Sequence, residues 1–184
     1  RNNLGFSNSD RVVLPCASVG VVYDKASHSQ VLFTCHSGRI VSLAVSPCGR
    51  FVATGQEGKN ASAMVWDPAT GHQICALPTS LSGAVRRLSF SPDGSMLCGV
   101  GADRDNSLCI WSSACGNWTD GARVALGQGP RRAALFVAWA VAPAGAGRSG
   151  GVMTGGQNFV VFWTLHPNLS SRLGKVSSSA SGQP

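Results

Sequence analysis

Residues 40–55 run Ile40-Val41-Ser42-Leu43-Ala44-Val45-Ser46-Pro47, then a link Cys48-Gly49-Arg50, then Phe51-Val52-Ala53-Thr54-Gly55. The same pattern returns in Val85-Arg86-Arg87-Leu88-Ser89-Phe90-Ser91-Pro92, with Asp93-Gly94-Ser95 as the link and Met96-Leu97-Cys98-Gly99-Val100-Gly101 beyond it. A third occurrence opens at Ala134-Leu135-Phe136-Val137-Ala138-Trp139-Ala140-Val141-Ala142-Pro143 and, after a Gly/Ala link, resumes at Gly151-Val152-Met153-Thr154-Gly155-Gly156. Each is followed by a short apolar run closing on Trp: Met64-Val65-Trp66-Asp67, Leu108-Cys109-Ile110-Trp111 and Val160-Val161-Phe162-Trp163. These Trp residues stand 45 and 52 positions apart, and Gly20-Val21-Val22-Tyr23-Asp24 lies 43 residues ahead of Trp66-Asp67.

A period of about 40–45 residues, each unit ending on a Trp strand, is the signature of a four-stranded propeller blade of the WD40 type. The local chemistry agrees. Ile40 to Val45 is rich in β-branched residues, as strands prefer. Ser91-Pro92-Asp93-Gly94 and Ser46-Pro47-Cys48-Gly49 place Pro and Gly where β-turns need them, and Asp67-Pro68-Ala69-Thr70-Gly71 is a further turn. The fold class expected is all-β: a WD40-type β-propeller of about three full four-stranded blades plus a partial one, an incomplete ring. The expected divisions are 1–34 for the partial unit, 35–78, 79–118 and 119–169 for blades, and 170–184 for a linker-like tail. Such blades bury their faces only against one another.

Composition limits the function classes. Charged residues make up only 12% of the 184, against 23 Gly, which suits short strands and tight turns better than long solvated helices. The net charge of +7 favours acidic partners. No Lys/Arg-rich run with interleaved aromatics signals nucleic acid, and no stretch reaches the roughly 18 apolar residues of a membrane span. Seven Cys with no C-x-x-C pair argue against a zinc site, and several lie in apolar segments, pointing to a reducing, cytosolic compartment. The opening Arg1-Asn2-Asn3-Leu4 is no signal peptide.

Ala53-Thr54-Gly55-Gln56-Glu57-Gly58-Lys59 followed by Met64-Val65-Trp66-Asp67 resembles the first propeller blades of the echinoderm microtubule-associated-protein-like family. So do Leu97 to Asp103 with Leu108 to Trp111, and Thr154-Gly155-Gly156 with Val161-Phe162-Trp163-Thr164-Leu165. Upstream, Val21 to Asp24 and Phe33 to Gly38 are similar to that family's entry into its first blade. The resemblance covers Val12 to Leu165. It departs from the family pattern at Cys35-His36, where Gly-His is usual, and at Ser112 and Thr164, where the Asp after Trp is missing. The resemblance implies a microtubule-associated scaffold in the cytoplasm and cytoskeleton, with the ciliary or flagellar axoneme as one setting, part of a large complex, with tubulin or neighbouring microtubule-associated proteins as partners. The other reading is a generic WD40 adaptor without microtubule contact.

Trp66, Trp111 and Trp163 are expected to be structural. The Trp indole N–H can reach a strand Ser or Thr, with a loop His beyond it, and His36, Thr54 and Trp66 are the set to look for. Asp67 is expected to organise its turn. Gly147-Arg148-Ser149-Gly150-Gly151 matches G-x-S-x-G by letter only, since no helix follows it as a nucleophile turn requires. With no phosphate loop or His-Glu-x-x-His, no catalytic group and no cofactor is expected. Asn60-Ala61-Ser62, Asn117-Trp118-Thr119 and Asn168-Leu169-Ser170 are formal sequons, without meaning in a cytosolic chain. The candidates for partner binding are Arg123, Arg131 and Arg132, on a cationic insertion at Thr119 to Arg132, with the strand pair Arg86 and Arg87.

Overall fold

The computed structural model describes residues 3–7, 11–140 and 151–165, and the backbone of 173–178. Within them lie four antiparallel sheets, each a four-stranded meander in chain order, and no helix. The first sheet holds β1 (Gly5–Phe6), β2 (Arg11–Cys16), β3 (Val19–Asp24) and β4 (Ser29–Phe33); the second holds β5 (Ile40–Val45), β6 (Val52–Gln56), β7 (Ala63–Trp66) and β8 (Gln73–Leu77). The third is β9 (Val85–Phe90), β10 (Met96–Gly101), β11 (Leu108–Ser112) and β12 (Ala122–Gly127); the fourth is β13 (Ala134–Ala140), β14 (Gly151–Gly156), β15 (Phe159–Leu165) and β16 (Leu173–Ser178). The sheets succeed one another as propeller blades, and the ring is not closed.

The turn chemistry works as the sequence implies. Gly49 and Gly94 sit at φ +70° and +73°, where other residues are strained. Their N–H groups bond the carbonyls of Ser46 and Ser91 at 2.8 and 2.9 Å, closing the β5–β6 and β9–β10 hairpins. The second, third and fourth sheets also share a bulge near the start of the inner strand. It leaves Val41, Arg86 and Leu135 outside the pairing register.

Alternation along each strand divides its side chains between the two neighbouring sheets. Val13, Val22 and Phe33 of the first sheet pack with Leu43, Val52 and Trp66 of the second. Ala53, Ala63 and Val65 of the second meet Leu88, Leu97 and Trp111 of the third. Cys98, Val100, Leu108 and Ile110 of the third meet Val152, Val161 and Trp163 of the fourth. Within each junction the Trp-bearing face looks back at the preceding sheet.

Three expectations change. The N-terminal unit has four strands, although β1 is only two residues long. The stretch 119–132 is not a loop insertion in the fourth blade: Ala122–Gly127 is β12, paired along β11, and completes the third blade. Its charge concealed a strand with a bulge at Val124, in which Ala125 is buried and Arg123 exposed. Residues 173–178, expected to be linker, pair with β15 from Val160↔Ser178 to Leu165↔Leu173. The rest of the expected tail, the Gly/Ala link with Ser149, and the Asn168 sequon lie outside the described residues.

Candidate interaction surface

In the second sheet β6 and β7 bring Thr54 and Trp66 together, and the loop after β4 lays His36 above them. All three are buried. The Trp66 indole N–H donates to Thr54 Oγ1 at 3.2 Å, His36 Nε2 lies 2.8 Å from the same hydroxyl, and His36 Nδ1 lies 2.8 Å from Gln56 Oε1. One donor order satisfies every atom: Trp66 to Thr54, the Thr54 hydroxyl to His36 Nε2, and His36 Nδ1–H to the Gln56 amide oxygen. The Gln56 amide nitrogen then donates to the Asn60 carbonyl at 2.8 Å. Phe33 stacks on the Trp66 ring with centroids 4.8 Å apart. Burial lowers the His36 pKa, opposed by the bond to Gln56, so the imidazole is held neutral. Asp67 caps its own turn, its carboxylate accepting the Ala69 N–H at 2.7 Å.

The third sheet handles its Trp differently. The position matching Thr54 is Gly99, opposite Leu88 and Cys109. A Cβ there would stand 2.7 Å from Trp111 Cζ3, so the indole ring occupies the space of the missing side chain. Its N–H turns instead to the Pro78 carbonyl at 2.7 Å. Leu81, at the place of His36, is buried. In the fourth sheet the hydroxyl returns: Trp163 donates to Thr154 Oγ1 at 2.8 Å.

Trp118 was missed, appearing in the sequence only inside a sequon. It is fully buried, meets Phe90 edge to face at 5.5 Å, and donates to the Gly94 carbonyl at 3.2 Å. Its backbone sits at φ +65°, a conformation bulky residues rarely adopt. Asp120 holds the loop by accepting from Ser113 Oγ and the N–H groups of Ala114 and Cys115. No pattern in the sequence separates such a loop Trp from an exposed one.

The five candidate arginines are not one cluster. Arg86 is the bulge residue of β9, and Arg87 reaches across to donate to the Leu135 carbonyl of β13 at 2.7 Å. Arg87 is thus partly a seam between the third and fourth sheets. Both line a cleft of about 300 Å³ with Ser42, Leu43, Leu135 and Phe136, where the inner strands meet. Arg123, on the outer strand, bonds Ser80. Arg131 pairs with Asp105 at 3.4 Å. Arg132 is exposed and, among the described residues, pairs with no carboxylate. Arg131 and Arg132 precede β13, so with Arg86 they give one end of the sheets a positive rim. All seven Cys are free thiols; Cys98 and Cys109 are buried, and Cys16, Cys35, Cys48 and Cys115 are exposed.

Consecutive four-stranded meanders, Trp-bearing faces and the buried His36–Thr54–Trp66 contact define a WD40-repeat propeller fold. The family model "WD domain, G-beta repeat" matches residues 27–67 and 71–112, so the chain carries WD40 repeats. Such repeats are typically non-catalytic scaffolds. "Cilia- and flagella-associated protein 52" of Chlamydomonas reinhardtii is 33% identical over 110 residues, covering 58% of this chain. "WD repeat-containing protein 90" of Homo sapiens is 30% identical over 110 residues, covering 60% of this chain. "Centriole proteome protein 16" of Chlamydomonas reinhardtii is 32% identical over 136 residues, covering 71% of this chain. The chain spans only 18%, 6% and 6% of the lengths of these relatives. A chain of the solved structure "Crystal Structure of Mitotic Checkpoint Complex" superposes with a TM-score of 0.71 at 20% identity, covering 94% of this chain and 50% of that one. That likeness concerns the fold.

Proposed function

We propose that this chain is part of a non-catalytic WD40 scaffold that docks onto microtubules, or onto proteins already seated on them, within a ciliary or centriolar assembly. The observation that carries this reading is the set of relatives, whose names place them with cilia, flagella and centrioles. The positive rim formed by Arg86, Arg131 and Arg132, with Arg123 on the outer strand, suits an acidic partner. Charges of this kind set association rate and register more than affinity. The sequence resemblance to the echinoderm microtubule-associated-protein-like family supports the same reading, although the relatives named above carry other names.

The test is co-sedimentation with stabilised microtubules at low and moderate salt, with tail-cleaved tubulin alongside. Pelleting that weakens with salt and with loss of the acidic tails is the expected result, because exposed charge pairs are screened beyond about 10 Å at 0.1 M salt. A protein that stays in the supernatant under every condition overturns the microtubule reading and leaves a WD40 adaptor that binds other proteins.

A further inference from the structure

We propose that the cleft between the inner strands of the second, third and fourth sheets binds an acidic peptide segment, one glutamate of which forms a two-pronged ion pair with Arg86. The inference rests on the acidic-partner reading above and adds the place and the chemistry of the contact. β9 lies between β5 and β13, so the third sheet, which carries both cleft arginines, has its two neighbouring sheets within the described residues.

Backbone acceptors along the cleft are already taken. The bulges of β9 and β13 leave Arg86 and Leu135 out of the pairing register. Arg87 satisfies both of their carbonyls, donating through Nε to Leu135 at 2.7 Å and through Nη1 to Arg86 at 2.8 Å. Ser42 Oγ donates to the Val85 carbonyl at 2.6 Å. The Arg86 guanidinium is the exception. Its side chain is half-buried, lines the cleft, and among the described residues makes no hydrogen bond or ion pair. Neither Asp nor Glu stands among the described lining residues.

A half-buried guanidinium keeps its charge and loses part of its water, so an anion that enters the cleft meets a donor with nothing else to bond. The bulge aims this donor, and the corresponding residues of the second and fourth sheets, Val41 and Leu135, are apolar. Leu43, Leu88 and Val137 add aliphatic wall, and charge of one sign between such walls concentrates its field in the cleft. This combination selects the ligand. Inorganic phosphate would set its remaining oxygens against the aliphatic wall. A glutamate side chain brings a planar carboxylate for the guanidinium fork and methylenes for the wall. The cleft holds about 300 Å³, at the lower end of the range of ligand sites, which suits one such side chain with its flanking backbone.

The test is fluorescence anisotropy of a short fluorescein-labelled poly-glutamate peptide titrated with the full-length protein at low salt. Binding is expected, and Arg86→Gln should weaken it about tenfold or more, because a charge-assisted pair is lost from a partly desolvated site. Arg86 makes no side-chain bond among the described residues, so this variant is expected to keep the parent's unfolding midpoint. Arg132→Gln, on the exposed rim, should weaken binding only about twofold. The same peptide carrying a photoreactive group should cross-link, on the unaltered protein, to residues that line the cleft, a placement that depends on no variant folding. Inorganic phosphate at matched ionic strength should leave the peptide bound. Absence of binding, equal losses in the two variants, displacement by phosphate, or cross-links on the loop of Arg131 and Arg132 each overturns the proposal. Microtubules are absent from this assay. A protein that binds the peptide but does not pellet overturns the microtubule reading alone, and one that pellets without binding the peptide overturns the cleft alone.

Discussion

The second and third sheets place a Trp at the same point of the same strand and treat its indole N–H in opposite ways. In the second sheet Thr54 accepts it, and His36 and Gln56 extend the bond into a buried polar line. In the third sheet Gly99 leaves no hydroxyl, Leu81 replaces the imidazole, and Trp111 bonds the Pro78 carbonyl. A buried N–H without an acceptor costs about 1–3 kcal/mol, so each sheet must supply one. The repeat therefore conserves a physical requirement, a large ring with a satisfied donor, and leaves the residues that meet it free to change. A polar line is bonded only when every member is present. The apolar version depends on fit, because the ring fills the space over a glycine.

The largest expected effect is common to both sheets. Trp66→Ala and Trp111→Ala each remove a fully buried ring and should cost about 3–5 kcal/mol in denaturant unfolding. The Trp66 loss should lie at the upper end, because Thr54 and the Phe33 stack lose their partner as well. Gly99→Thr comes next and separates the two solutions. Placing the hydroxyl of the second sheet into the third forces a Cβ against Trp111, and overpacking of this kind costs about 1–3 kcal/mol. An unchanged midpoint would show that the ring does not fill that space.

His36→Leu, which copies Leu81 into the second sheet, should cost about 1–2 kcal/mol by leaving the Thr54 hydroxyl without its acceptor. It also carries a pH signature. The folded His36 has a lowered pKa, so below the ordinary imidazole value of about 6.5 the unfolded chain binds a proton that the folded chain refuses. Stability then falls as pH drops below about 6.5 and is full above it. The substitution should flatten that part of the profile, and an unaltered slope between pH 5 and 7 would place the titration elsewhere. The smallest effect belongs to Arg131→Gln. Its pair with Asp105 is exposed, and such pairs contribute about 0–1 kcal/mol. If the rim binds acidic partners, this variant should weaken microtubule pelleting while leaving the unfolding midpoint within that margin.

The periodic Trp strands and the Ser-Pro-x-Gly turns made the propeller legible, because both follow from local chemistry repeated at a fixed interval. The His36–Thr54–Trp66 contact was legible for the same reason. Trp111 was not distinguished from Trp66, since the difference lies in Gly99, a residue that in sequence marks only a weak strand position. β12 was concealed by Arg123, which is exposed on an outer strand, and by the arginines that follow it, and β16 by a Ser-rich composition that usually marks linkers. In both cases a neighbouring strand supplied the ladder that propensity alone did not indicate. Trp118 owes its burial to a loop pinned by Asp120, and the Arg86 bulge to register with β10. Those are properties of pairing, which a single strand does not reveal.

The central claim is that the shared Trp position is satisfied by side-chain hydroxyls in the second and fourth sheets and by a backbone carbonyl in the third. Indole N–H resonances report this directly, and the chain has five Trp to resolve. Thr54→Val should shift the Trp66 indole proton and speed its exchange with solvent while leaving Trp111 and Trp163 unmoved. Thr154→Val should do the same to Trp163 alone. A Trp111 resonance that moves with Thr54, or a Trp66 resonance that does not, would contradict the account.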